Sequence, residues 1–171
     1  GCSQRELVDF ERLVKEGGEV TGAGLTDGIQ RALALVFMSE AGKLRGIAGI
    51  KSPAASYRAK VSAKSGIALP VATLPFELGW VHIITEAQGK KQCRPLVQHA
   101  IAAAKGKGLF ATSREGKDAM HHVLTTEGFV KSGKPYAAAD EKADLFLFVR
   151  APGPPIAPTE DLMASLREAM L

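Results

Sequence analysis

The stretch "ELGWVHIITEAQGKKQCRPLVQHAIAAA", residues 77–104, narrows the possible folds more than any other part of the chain. An apolar run over 77–84 reads as a strand. It enters a polar turn carrying Gln88, Gly89, Lys90 and Lys91, and that turn opens an amphipathic helix from about 89 to 105. A helix start presents unpaired backbone N–H groups and the positive end of the helix dipole. With a glycine ahead and two lysines beside it, such a corner suits a phosphate, although the same lysines equally suit a solvated surface.

The rest of the chain alternates strands and helices irregularly. Residues 3–16 read as a helix with Leu7, Phe10, Leu13 and Val14 on one face, and Ser3 with Glu6 fits a capping box. The glycines of "GGEVTGAGLTDGI" read as a connection. A strand at 31–40, the turn "AGKL" and a returning strand at 45–52 read as a hairpin. The tract 53–76 reads as a short basic helix followed by an irregular, proline-containing loop. A buried strand at 108–113 precedes a helix over 115–130 that Gly128 stops, with Phe129 starting an extended piece. A strand at 142–150 leads to a proline-rich linker and a helix over 160–170 capped by Thr159. This order implies an α/β (α+β) fold, a mixed sheet with flanking helices. The length of 171 residues suits a single domain, core about 20–151, with 152–171 as linker and C-terminal helix. That helix is free to pack on its own domain or on a second copy, which leaves a homodimer open.

Composition excludes several functions. No apolar run approaches the roughly 18 residues of a membrane span. The net charge of +4 is spread without aromatic interleaving, so no nucleic-acid partner is expected. Cys2 and Cys93 give neither metal-ligand spacing nor a disulfide framework, and His121 and His122 diverge on their helix. No metal is expected, and a reducing, cytoplasmic setting is. "QGKKQC" lacks the second glycine and the hydroxyl of a P-loop, and no G-x-G-x-x-G is present.

The frame "VHIITEAQGKKQC" resembles the acetyl-CoA motif of the GNAT (Gcn5-related) N-acetyltransferases, a strand with a V-x-V-like end followed by Q/R-x-x-G-x-G/A opening a helix. Val81 and Ile83 take the V-x-V places and Gln88 the first motif place, while Lys91 and Cys93 stand at the Gly and Gly/Ala places. "LFATSREGKDAMHHVLTTEGFV" resembles the family's second half, with Gly128-Phe129 matching its ending. Leu124 stands where many members carry a general-acid tyrosine, and Lys117 where they often carry an asparagine.

The resemblance implies a sheet splayed between the fourth and fifth strands, with acetyl-CoA as co-substrate and a primary amine of a small molecule or peptide as acceptor. It places the thioester against the backbone of Val81, His82 and Ile83, and the pyrophosphate against Gln88, Gly89, Lys90, Lys91, Gln92 and Cys93, with Lys117 nearby. Glu77, eleven residues before Gln88, has the offset of the catalytic base in the histone-modifying members. Strict strand alternation would put Glu77 on the same face as Gly79, Val81 and Ile83, with His82 opposite. Tyr136, in a turn after the "GF" strand, is the candidate general acid, and Tyr57, Arg58, Lys60 and Lys64 would line the acceptor cleft. The alternative is a non-catalytic acyl-CoA-binding module of the same fold.

Overall fold

The computed structural model describes residues 1–18 and 24–155, together with the backbone of 166–170. Helix α1 (Gln4–Glu16) begins with the expected capping box: Ser3 Oγ accepts from the Glu6 amide at 3.3 Å, and the Glu6 carboxylate accepts from the Ser3 amide at 2.8 Å. Its buried residues are Phe10, Leu13 and Val14. Each fully buried side chain of this kind contributes about 1.5–3 kcal/mol. A short α2 (Leu25–Gln30) follows, then β1 (Ala34–Glu40) and β2 (Lys43–Lys51). These two strands form a hairpin closed by Ala41 and Gly42, both at positive φ, the two-residue turn whose twist matches a right-handed ribbon.

The chain continues through α3 (Ala55–Ser65), β3 (Phe76–Ile83), a single 3-10 turn at Thr85–Ala87, α4 (Cys93–Ala103) and β4 (Leu109–Arg114). It then forms α5 (Asp118–Thr126), β5 (Val130–Ala137), β6 (Asp144–Arg150) and β7 (Leu166–Met170). The strands build one sheet in the order β5-β6-β4-β3-β2-β1-β7, antiparallel throughout except between β3 and β4. On one face, α1 and α2 cover Leu35, Phe37, Ile47 and Trp80, while α3 covers Phe110 and Leu147. On the other, α4 and α5 cover Val36, Ile50, Leu78, Leu109 and Phe148.

The expected α/β arrangement of a mixed sheet with flanking helices is present, with four local corrections. The glycine-rich connection ends in α2, entered through Gly24 at φ 103°. The helix expected from about 89 starts at Cys93, because Gly89 and Lys91 both sit at positive φ and hold 88–92 as a turn. The helix expected over 115–130 spans only Asp118–Thr126, since Gly116 at φ 82° closes a separate turn in which the Lys117 amide donates to the Arg114 carbonyl at 3.3 Å. Finally, 166–170 is a strand on the outer edge of β1, paired from Ala34↔Met170 to Met38↔Leu166, where a helix was expected; the remainder of that helix, 160–165, lies outside the described residues.

The splay also falls elsewhere in the count. It lies between the third and fourth strands in chain order, not the fourth and fifth, because the described residues before β1 form helices.

Candidate active site

Strands β3 and β4 share only the pairs Phe76↔Leu109 and Glu77↔Phe110. Both continue well beyond, so from Leu78 onward the edge of β3 that faces β4 has no ladder partner there. Between the diverging strands lies a narrow cleft of ≈ 30 Å³, room for about one water molecule. Leu78, Gly79 and Val81 form one wall, Thr112 and Ser113 the other, and Leu124 of α5 lines it too.

A bulge in β3 shapes the first wall. Gly79 pairs with Gly49 and His82 with Ile47, so three steps on β3 oppose two on β2. The extra residue is in the Trp80 region, and Trp80 itself has φ 54°, a conformation rare for a bulky side chain. Its indole fits because Gly49 has no side chain: a Cβ there would stand 2.5 Å from Trp80 Cε3. The bulge resets the alternation. Gly79 faces Lys51, Trp80 packs with Phe10, and His82 Nε2 lies 3.4 Å from Glu16 of α1, whereas Val81 and Ile83 join the core under α4. Glu77 therefore shares the face of Trp80 and His82 and lies opposite Val81 and Ile83, correcting the strict alternation.

Glu77 is buried, with 2% of its surface exposed, yet it is not isolated. Tyr57 on α3 donates its hydroxyl to Oε1 at 2.9 Å, and Lys51 Nζ lies 2.9 Å from Oε2. Lys51 sits opposite Glu77 in the β2–β3 register, and its ammonium also lies 5.4 Å from the Tyr57 ring centre and 5.2 Å from that of Trp80. A buried carboxylate without such partners would be costly. Burial raises the Tyr57 hydroxyl pKa far above its usual value; the charge of Glu77 adds to the rise and a hydrogen bond with Thr112 opposes it. Tyr136 is pushed up to about 12, first by burial and then by Glu77. It lies within β5, paired to Leu145 and packed beneath α3, rather than in a turn.

These shifts carry a pH prediction. A tyrosine whose folded pKa is raised supports the fold fully below its unfolded value near 10, and that support is lost as pH climbs toward about 12. The urea midpoint is expected to fall across that interval, and Tyr136→Phe should flatten the fall. An unchanged slope in the variant would contradict this assignment.

The corner at the start of α4 keeps the expected course. Gly89 has φ 78° and Lys91 φ 56°, so Lys91 adopts the left-handed conformation that glycine normally provides, at a cost of about 1–2 kcal/mol. Gln88 Nε2 donates to the Ile83 carbonyl at 2.9 Å and ties the turn back to β3. Gln92 is the N-cap without a side-chain cap bond, and Pro95 occupies an early position where its missing donor is harmless. Lys90 and Lys91 are exposed, and Arg94 ion-pairs Glu127 across to α5 at 2.6 Å. Cys93 is half-buried, and burial pushes its thiol pKa up, which disfavours a nucleophilic thiolate. Lys117 is exposed at the N-cap of α5, one turn before Met120.

No protein-family model matches the sequence, and a search of curated proteins returned no match. Solved structures do match. One is an acyl-CoA N-acyltransferase from Pseudomonas aeruginosa, at 13% identity and TM-score 0.59, covering 88% of this chain and 93% of that one. Another is a spermidine N-acetyltransferase chimera from Vibrio cholerae and a second enzyme, at 14% identity and TM-score 0.61, covering 88% and 93%. A third is NAA60 of Arabidopsis thaliana in complex with a bisubstrate analogue, at 12% identity and TM-score 0.61, covering 87% and 94%. This chain has the GNAT acetyltransferase fold.

Within that GNAT fold the candidate residues separate into two groups. Val81, Ile83 and the corner from Gln88 to Cys93 border the α4 side of β3; Glu77, Tyr57, Tyr136 and Lys51 gather on the α1/α3 side. Of the residues expected to line an acceptor cleft, only Tyr57 reaches Glu77. Arg58 turns inward instead, donating to the carbonyls of Leu69, Leu74 and Pro75, while Lys60 and Lys64 are exposed. On α5, His121 packs edge-on to Phe146 and tilted against Phe148, and His122 is exposed. Lys51 and Trp80 are additions that the sequence did not advertise. The one available signal for Lys51 was its place at the end of the strand running beside Glu77.

Proposed function

We propose that this GNAT-fold protein is an acetyl-CoA-dependent N-acetyltransferase that moves the acetyl group directly to a primary amine of a small molecule or peptide. The observation that carries the reading is the buried carboxylate of Glu77 at the root of the open seam between β3 and β4. A primary ammonium, pKa about 10, must lose a proton before its nitrogen attacks at neutral pH. Glu77 accepts that proton, directly or through one water, with Tyr57 holding the carboxylate in place. Backbone amides of the segment Val81 to Ile83 that face the seam stabilise the oxyanion, and the amides from Gly89 to Cys93 bind the pyrophosphate with Lys90, Lys91 and Lys117 adding charge. Leu124 offers no proton to the departing thiolate, and Tyr136 at about 12 is a weak acid toward a thiol of pKa about 8.5. Water at the open mouth supplies that proton, and Tyr136 serves the Glu77 network. The cytoplasm fits this chemistry, neither cysteine being in a disulfide.

A second reading, an acyl-CoA-binding module without turnover, draws on Leu124 and on the ion pair that engages Glu77. Calorimetric titration with acetyl-CoA, CoA and desulfo-CoA tests what both share. Micromolar binding, about −8 kcal/mol, is expected, and Lys91→Gly should weaken it modestly by removing one cation from the pyrophosphate corner. Absence of binding up to millimolar acetyl-CoA would overturn both readings. Release of CoA in the presence of amines then separates enzyme from module.

A further inference from the structure

The acceptor side of the seam already contains an amine of the chain itself. Lys51 leaves β2 and lies across β3 at Gly79: a Cβ on that glycine would stand 2.7 Å from Lys51 Cδ and 3.5 Å from Nζ. Gly79 is also a wall of the cleft, so only the thickness of a backbone without a side chain separates the Lys51 stem from the opening. The ammonium ends 2.9 Å from Glu77 Oε2, between the Tyr57 and Trp80 rings at 5.4 and 5.2 Å. A carboxylate with two aromatic faces is the arrangement that recognises an alkylammonium, through ion pairing and cation–π attraction together. The side chain of Lys51 is 23% exposed, so it is neither sealed in the core nor loose in solvent.

We propose that Lys51 is an acetylation site of the protein's own chain, its Nζ occupying the position of the acceptor amine. The inference rests on the proposed N-acetyltransferase reading and adds an acceptor to it. Lys51 gives up a proton to Glu77 and attacks the thioester carbonyl of acetyl-CoA. The C–N bond forms as the C–S bond breaks, and the thiolate leaves and takes a proton from water. Lysine ammonium and acetyl-CoA thus become N-acetyl-lysine, CoA thiol and one released proton. Acetylation removes the charge from Lys51 and ends its ion pair. Glu77 and the two rings are then released to hold an external ammonium, so modification converts a self-occupied site into a receptive one.

Full-length protein is incubated with acetyl-CoA, and intact mass and peptide mapping follow the label, with binding measured in parallel. The expected result is one acetyl group per chain, mapped to Lys51, added at a rate independent of protein concentration. Lys51→Arg, which keeps a cation for Glu77, removes that label from the intact mass. Glu77→Gln slows labelling by about 100-fold or more, and urea-unfolded chain shows no preference for Lys51. An unmodified Lys51 in protein that binds acetyl-CoA overturns the inference; acetylation of an external amine in the same sample would then leave the proposed function standing. Label spread over exposed lysines, or a rate that rises with protein concentration, also overturns it. Failure to bind acetyl-CoA removes the proposed function and this inference together.

Discussion

Glu77→Gln is expected to lower amine acetylation at pH 7 by about 10²- to 10⁴-fold, the usual contribution of a positioned general base. The acetyl-CoA dissociation constant should stay within about twofold, a free-energy change under about 0.5 kcal/mol. The separation follows from the bulge at Trp80, which leaves Glu77 on the α1/α3 side while Val81 and Ile83, proposed to meet the cofactor, face the α4 side. Glutamine preserves the shape and still accepts from the Tyr57 hydroxyl, but it holds no negative charge for Lys51 and takes no proton. Steady-state CoA release and calorimetry on the same preparation read both quantities. Turnover equal to that of the parent chain would show the carboxylate to be a structural ion-pair partner and nothing more.

Arg58→Ala carries the largest expected loss of stability, about 3–5 kcal/mol. Arg58 is 9% exposed, and its guanidinium donates to three carbonyls: Leu69 at 3.1 Å, Leu74 at 2.6 Å and Pro75 at 2.8 Å. Deleting it orphans acceptors that cost about 1–3 kcal/mol each where water does not reach. Its planar fork divides its donors among three targets, which a single ammonium reproduces poorly, so Arg58→Lys should recover less than half of the loss. The segment it fixes leads directly into β3 and Glu77, so the variant should also lose turnover before it unfolds. Chemical denaturation gives the magnitude; a loss below about 1 kcal/mol would mean that other contacts hold residues 66–75.

Much of this architecture was legible in the sequence for local reasons. Ser3 and Glu6 announce their helix start because both halves of the capping box lie within four residues of each other. Gly128 marks the end of α5 because φ 88° is open to little else. The strand, basic turn and helix order from 77 onward survives intact. What escaped depends on distant partners. "LREAM" consists of good helix formers, and only the edge of β1 makes it a strand. α2 carries Gly28 in its middle, poor for a helix, yet tolerated where the Trp80 ring lies 3.6 Å from the position of a Cβ. The bulge was invisible because alternation assumes an unbroken pleat, and the residue at positive φ is a tryptophan. Its cause is Gly49, on a neighbouring strand about thirty residues away. Arg58, expected on a short basic helix to line the acceptor cleft, became an internal clamp for the same reason: three backbone acceptors arrive from beyond the helix.

The brevity of the β3–β4 ladder bears on how the molecule comes apart. With two residue pairs joining them, β4-β6-β5 and β3-β2-β1-β7 are two half-sheets that share helices on one face but little backbone bonding. Amide hydrogen exchange should therefore report two opening units with different protection, each broader than any single strand. An extended ligand lying along the exposed edge of β3 would supply the hydrogen bonds that β4 withholds. Saturation should then merge the two opening units into one, so that the occupied protein unfolds as a more cooperative body than the empty one.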